Sequence, residues 1–268
     1  MGISADAYCG DQITTDGKGD KSRRLYPGNG LGSHYAIIDN HTSRLSLNSL
    51  KLYSTFNSTF VSITFILICV TVIISFYTFN KGELAGQLMM NPYLIKTKGQ
   101  YYRFVTSGLI HKDHVHLLWN MFSFYIFGTA VERDFGSLFG QAGTYYFIVL
   151  YLTALIVSDI PTYFKEKNNA DYNSLGASGG VGSVIFVFII LQPLQSICLY
   201  FAFCMPGFVF GAGYMAYTYY QGRKSKDNIN HDAHLYGALY GLLFCVVAYP
   251  GSLLVFYEQV KLWVGSFF

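Results

Sequence analysis

Ser178 stands in the stretch Asn173-Ser-Leu-Gly-Ala-Ser-Gly-Gly-Val-Gly182, a glycine-rich lead into the apolar run Val184 to Leu191. A hydroxyl in that setting is a candidate nucleophile, provided a base lies beside it. Histidine suits the role, because an imidazole near neutrality can take the hydroxyl proton and hand it to a leaving amine. Two histidines open other apolar runs. His116 has Asn120 four residues on and so on the same helical face; His234 has Gly237 and Gly241 three and seven residues on, again one face. Such a set fits acyl transfer, with Ser178 as nucleophile and His234 as base. His116, Asn120 and the Ser178 backbone N–H would be donors to the oxyanion. Each member also has a plainer use. Glycine clusters let membrane helices cross closely, and an intramembrane His or Asn often simply bonds a neighbouring helix. His111, Asp113, His114 and His116 form a dense, ligand-like group of the kind a zinc protease would use, but no His-Glu-x-x-His accompanies it.

The elements that must position these residues are membrane helices. Of 268 residues, 52% are hydrophobic, 18% aromatic and only 12% charged, against about a quarter charged in a soluble domain. A net charge of +3 spread along the chain gives no basic patch, so nucleic acid is not an expected partner; the lipid bilayer is. Four of the five cysteines, Cys69, Cys198, Cys204 and Cys245, sit inside apolar runs and read as small core residues rather than as a disulfide framework or a metal set.

Residues 1–52 are rich in Gly, Ser, Asp, Asn and Thr and are expected to form a polar, disordered tail. They hold no basic start followed by an apolar core of about 7 to 15 residues, so no cleaved signal is expected. The membrane domain is expected over 53–250, with 251–268 as an interfacial C-terminal segment. Six spans are predicted: Ser58–Phe79, Val115–Val131, Thr144–Ile160, Leu175–Leu191, Ser196–Tyr220 and Ala233–Tyr249. Lys81–Ser107 is too polar to span and rich in tyrosine, as befits a loop lying in the interface between the first two helices. Lysine and arginine do not orient the bundle, since eight fall on one side and ten on the other.

Helices two, four and six of a hairpin-connected bundle run in one direction. His116, Ser178 and His234 each lie within the first few residues of one of them, hence at one depth, ~5 Å below one surface. The glycine faces around Ser178 and along Gly237 and Gly241 would let the fourth and sixth helices touch at the backbone. That contact is what a serine–histidine dyad requires.

The pattern His111-x4-His116-x3-Asn120, then Gly176-Ala-Ser178-Gly179, then Ala233-His234-x2-Gly237-x3-Gly241 resembles the rhomboid intramembrane serine proteases. Tyr102-Arg103 stands where that family often has Trp-Arg, and Gly128-x3-Glu132-Arg133-x2-Gly136 resembles the polar turn after its second helix. The resemblance covers roughly Ser58 to Tyr249. It implies an all-α, six-helix, multi-pass membrane protein, in the cell membrane if bacterial, whose active site faces away from the cytoplasm. It also implies hydrolysis of peptide bonds in or near transmembrane segments of other membrane proteins, with no metal or other cofactor. One position departs from the family. An aromatic residue commonly stands four after the serine, and here that residue is Gly182. Either another aromatic, such as Tyr236 or Tyr240, supports His234 or the dyad is looser than usual in the family, and a rhomboid-like protein that binds transmembrane helices without cutting them is the alternative.

Overall fold

The computed structural model describes residues 23–24, 38–39, 62–199, 202–224 and 229–267. Most of the tail expected over 1–52 therefore lies outside the described residues. Two short strands within it, β1 (Arg23–Arg24) and β2 (Ile38–Asp39), pair antiparallel. Met1–Phe60 and Val61–Phe268 are separate compact units, and all other elements belong to the second.

That second unit opens with α1 (Ile63–Phe79), and the start of the predicted span, 58–61, lies outside the described residues. Its buried residues are Thr64, Thr71, Ser75 and Thr78, whereas Phe65, Ile66, Val70, Ile73, Phe76 and Tyr77 are exposed. A helix in water would turn the other way. Small hydroxyl residues facing a bundle, with large apolar ones facing out, match a bilayer as the outer solvent.

The predicted interfacial segment holds three short helices, α2 (Gly82–Leu88), α3 (Pro92–Lys98) and α4 (Arg103–Thr106), the last running into a 3₁₀ turn over Ser107–Leu109. Asn91 caps α3 by accepting from the Leu94 N–H, and Pro92 opens it. Arg103 is buried and gathers the segment: its guanidinium donates to the carbonyls of Gly86 (2.9 Å) and Met89 (2.7 Å) and to Gln100 Oε1 (2.7 Å).

Next come α5 (His114–Phe139) and α6 (Gly143–Glu166). Gly140 turns the chain between them at φ 59°, and a Cβ on Gly143 would fall on the Phe135 carbonyl. α5 runs on past the predicted end at Val131, so Glu132, Arg133 and Gly136 are helical and not a turn. The extension puts Glu132 at the head of α1. Its carboxylate accepts from Ser62 Oγ (2.6 Å), Thr64 Oγ1 (2.9 Å) and the N–H groups of Ile63 (2.7 Å) and Thr64 (3.2 Å), where orphan donors and the helix dipole favour an anion. Glu132→Ala removes all four bonds and is expected to destabilise the protein by at least ~2 kcal/mol, read as a lowered Tm in detergent. Glu132→Gln should recover part of the loss.

The remaining elements are α7 (Ser178–Leu191), a hairpin of β3 (Ser196–Leu199) and β4 (Phe203–Pro206), α8 (Gly207–Lys224), α9 (His231–Ala248) and α10 (Gly251–Gly265). Two expectations fail here for one reason. Ser196–Tyr220 is not a single helix, because its first eleven residues form the hairpin; and that hairpin brings Cys198 opposite Cys204, where they are disulfide-bonded. Apolar character alone does not separate a strand pair from a helix. Of the other cysteines described, Cys245 is buried and free, and Cys69 is free and half-buried.

Among the described residues, His114–Glu166, 53 residues broken into α5 and α6, is the stretch long and apolar enough to cross a membrane; α9 and α10 pass that test only together and bend by 111°. α1 and α7 are apolar but shorter, 17 and 14 residues. The core is centred on α7, whose Val181, Val184, Val187 and Ile190 pack with Phe124, Tyr151 and Leu155. α7 and α9 make the most extensive helix pair.

Candidate active site

α7 begins at Ser178, three residues later than the apolar run suggested. The approach is shaped by Gly176 at φ 121°, where a Cβ would come within 2.7 Å of the His116 ring, so glycine alone suits the position. Gly176 N–H donates to Ser107 (2.9 Å), and Ala177 N–H donates to His111 Nε2 (3.3 Å). The first turn of α7 is thus set by the interfacial segment and the residues just before α5.

Ser178 Oγ and His234 Nε2 lie 2.8 Å apart, on the first turns of α7 and α9. Both side chains are half-buried. What brings them together is backbone contact. A Cβ on Gly237 would fall on the Gly179 carbonyl, and one on Gly241 on the Ser183 carbonyl. Ser183 Oγ adds a bond to the Gly237 carbonyl (2.6 Å). On the other side of α7, a Cβ on Gly179 would collide with Ser158 of α6.

His116 lies against Gly176, and its ring meets that of His111 edge-on at 5.0 Å. Asn120 is buried one turn on, its amide donating to the His116 carbonyl at 3.0 Å within α5. His116 is therefore beside the approach to Ser178. Asn120 has a partner in its own helix and would have to exchange it to meet an oxyanion.

His111 acts differently. Its Nε2 accepts from Ala177, so the proton sits on Nδ1, which donates to Ser75 Oγ at 3.0 Å. Burial, helped by His116 and opposed by Asp113, pushes its pKa down to about 3. Since the unfolded chain takes up the proton first, near pH 6.5, stability present above that pH is lost as pH falls toward 3. The drop in Tm across that window is expected to exceed that of His111→Gln.

The other members of the histidine cluster are likewise occupied in structure. Asp113 caps α5 through the His116 N–H (2.8 Å), which also holds its carboxyl below the usual range. His114 packs on Phe79 and Phe76, at 4.4 and 5.3 Å between ring centres.

The expected aromatic support is corrected. Tyr236 is exposed, and Tyr240 bonds Thr153 at 2.6 Å. The ring parallel to His234 is Tyr214 of α8, 6.5 Å away at an interplanar angle of 21° and backed by Phe186 and Phe210. Gly182 faces the α9 backbone, where a Cβ would make ordinary contacts with the His234 carbonyl (3.8 Å) and the Ala238 nitrogen (3.9 Å). The sequence reading also missed Asp159, which lines a cavity with Ser107, Ser158, Ser174, Ser178 and Asn230. Its signal was Asp159, Thr162 and Lys165 at three-residue spacing on one face of α6.

The Rhomboid domain model matches residues 98–251, more than half of the chain. The chain is 26% identical over 166 residues to RHOMBOID-like protein 12, mitochondrial, of Arabidopsis thaliana, covering 57% of this chain and 49% of that one. It is 29% identical over 147 residues to the putative rhomboid protease YdcA of Bacillus subtilis (54% and 66%), and 29% identical over 103 residues to rhomboid protease GlpG of Haemophilus influenzae (38% and 48%). These matches span about half to two thirds of the relatives' own lengths. The chain belongs to the rhomboid family, a family of helical integral membrane proteins that includes proteases.

Proposed function

We propose that this rhomboid protein is an intramembrane serine endopeptidase that cuts other membrane proteins in or near their transmembrane segments. The observation that carries the reading is the 2.8 Å hydrogen bond between Ser178 and His234. Ser178 attacks the carbonyl while His234 Nε2 takes its proton, then returns it to the leaving amine. The Ser178 N–H, ahead of the first intrahelical bond from Val181 to Ala177, and the side chains of His116 and Asn120 stabilise the oxyanion. No metal or cofactor is needed.

In this reading α1, α5, α6, α7, α8 and α9 are six spans. At ~1.5 Å per residue the 14-residue α7 reaches only ~21 Å, short of a hydrocarbon core of about 30 Å. The Ser178 end therefore lies below the membrane surface, and the serines, Asp159 and Asn230 of the adjoining cavity give water a polar route to it.

The deciding experiment is incubation of the purified protein with a model transmembrane substrate, wild type beside Ser178→Ala. Cleavage by the wild type alone is expected. A folded wild type that binds substrate but neither cuts it nor reacts with a fluorophosphonate would favour the binding-only reading, for which Gly182 is the observation.

A further inference from the structure

α9, which carries His234, is tied at its first residues to one face of α6. Its N-cap, Asn230, uses the whole of its side chain. Oδ1 accepts from the Ala233 N–H at 3.0 Å and from Thr162 Oγ1 at 2.9 Å, while Nδ2 donates to Asp159 Oδ1 at 3.1 Å. The Asn230 backbone carbonyl accepts from the N–H of His234 itself, at 3.3 Å. One helical turn further along α6, Lys165 meets Asp232 at 2.9 Å. That pair is solvent-accessible and contributes little; the ties on Asn230 lie deeper.

The choice of groups sets a direction. An asparagine amide can be turned end for end, and a threonine hydroxyl would tolerate either end. A carboxylate can only accept. In its ionised form Asp159 thus requires the NH₂ of Asn230 to face it, which leaves Oδ1 toward Thr162 and the Ala233 N–H, the orientation in which Asn230 caps α9. With the amide reversed, the cap is lost and the first turn of α9, with His234 on it, is free to fray.

We propose that Asp159, assisted by Thr162, is a positioning residue for His234 that acts through Asn230. It takes the place of the carboxylate that orients histidine directly in a triad, gripping the helix start instead of the ring. The inference rests on His234 serving as the base.

The test uses the full-length purified protein and compares wild type, Asp159→Ala, Asp159→Asn and Thr162→Val. Their kcat and KM on a model transmembrane substrate and their rate of fluorophosphonate labelling are measured. Asp159→Ala is expected to lower kcat and the labelling rate ~10- to 10²-fold, the scale of a misplaced catalytic group, with KM unchanged. Asp159→Asn, whose amide can offer its carbonyl to the same bond but can also turn end for end, should recover only part of the loss, and Thr162→Val should lose ~3- to 10-fold by the missing bond. Wild-type kcat in Asp159→Ala, a loss equal in Asp159→Asn, or a change confined to KM or substrate side-chain preference would each overturn the proposal. Should Asp159→Ala not fold, the Asp159→Asn and Thr162→Val pair decides by the same criteria. Amide hydrogen exchange separates this inference from the reading of the site. It should be faster at Ala233 and His234 in Asp159→Ala, and less so in Asp159→Asn, even if the wild type proves unable to cleave, and unchanged exchange in Asp159→Ala would overturn the clamp alone.

Discussion

Ser178→Ala and His234→Ala should each reduce cleavage of a model transmembrane substrate by at least ~10⁴-fold, and the double variant should be no worse than either single one. The expectation follows from the 2.8 Å bond between the two side chains: groups that act as one unit are lost together when either is removed. Both single variants should still bind substrate. Asn120→Ala should behave otherwise, losing ~10²–10³-fold if its amide leaves the His116 carbonyl to meet the oxyanion. It should lose nothing measurable if it stays there. A fluorophosphonate should label wild type, label Asn120→Ala more weakly, and spare Ser178→Ala. Additive losses in the double variant would rule out a dyad. Cleavage that survives Ser178→Ala and stops on chelation would hand the chemistry to the cluster at His111, Asp113, His114 and His116, whose side chains would then have to leave their present partners.

The second large effect is expected at the α7–α9 contact. Gly237 and Gly241 lie where a Cβ would meet the carbonyls of Gly179 and Ser183, backbone atoms that cannot step aside as a side-chain tip can. Even alanine must push the helices apart, and leucine more so. Overpacking of this kind costs ~1–3 kcal/mol, and a shift of ~1 Å at the dyad can cost ~10²-fold in rate. We expect Gly241→Leu to lose both activity and several degrees of Tm. Gly237→Ala, one turn from His234, should lose ~10²-fold in activity with a smaller change in Tm. Gly136 is the control: nothing lies within 4 Å of the Cβ it would gain, so Gly136→Ala should match wild type in both measurements. Wild-type melting and cleavage in the Gly237 and Gly241 variants would mean that these helices do not approach as described.

Much of this was legible in the residues themselves, because helical spacing and backbone permissiveness are local. Four-residue spacing alone puts His116 and Asn120 on one face, and glycine at 237 and 241 marks a surface made for another backbone. The glycines around Ser178 mark a place where chains approach closely, and the low content of charge marks a membrane protein. What the residues could not decide is which surfaces meet. Ser178 and His234 are 56 apart in the chain, and their separation in space depends on two glycine faces of different helices closing on each other. The ring parallel to His234 comes from Tyr214 on α8, a contact between helices that local spacing does not encode. The Cys198–Cys204 bond and the late start of α8, at Gly207 and not at Ser196, follow from a chain reversal that hydrophobicity does not encode. Asp159 reads in sequence as a charge near the end of a span; only the packing of α6 against the start of α9 puts its carboxylate on Asn230. Local spacing determines what a helix can present, and tertiary packing determines what it is presented to.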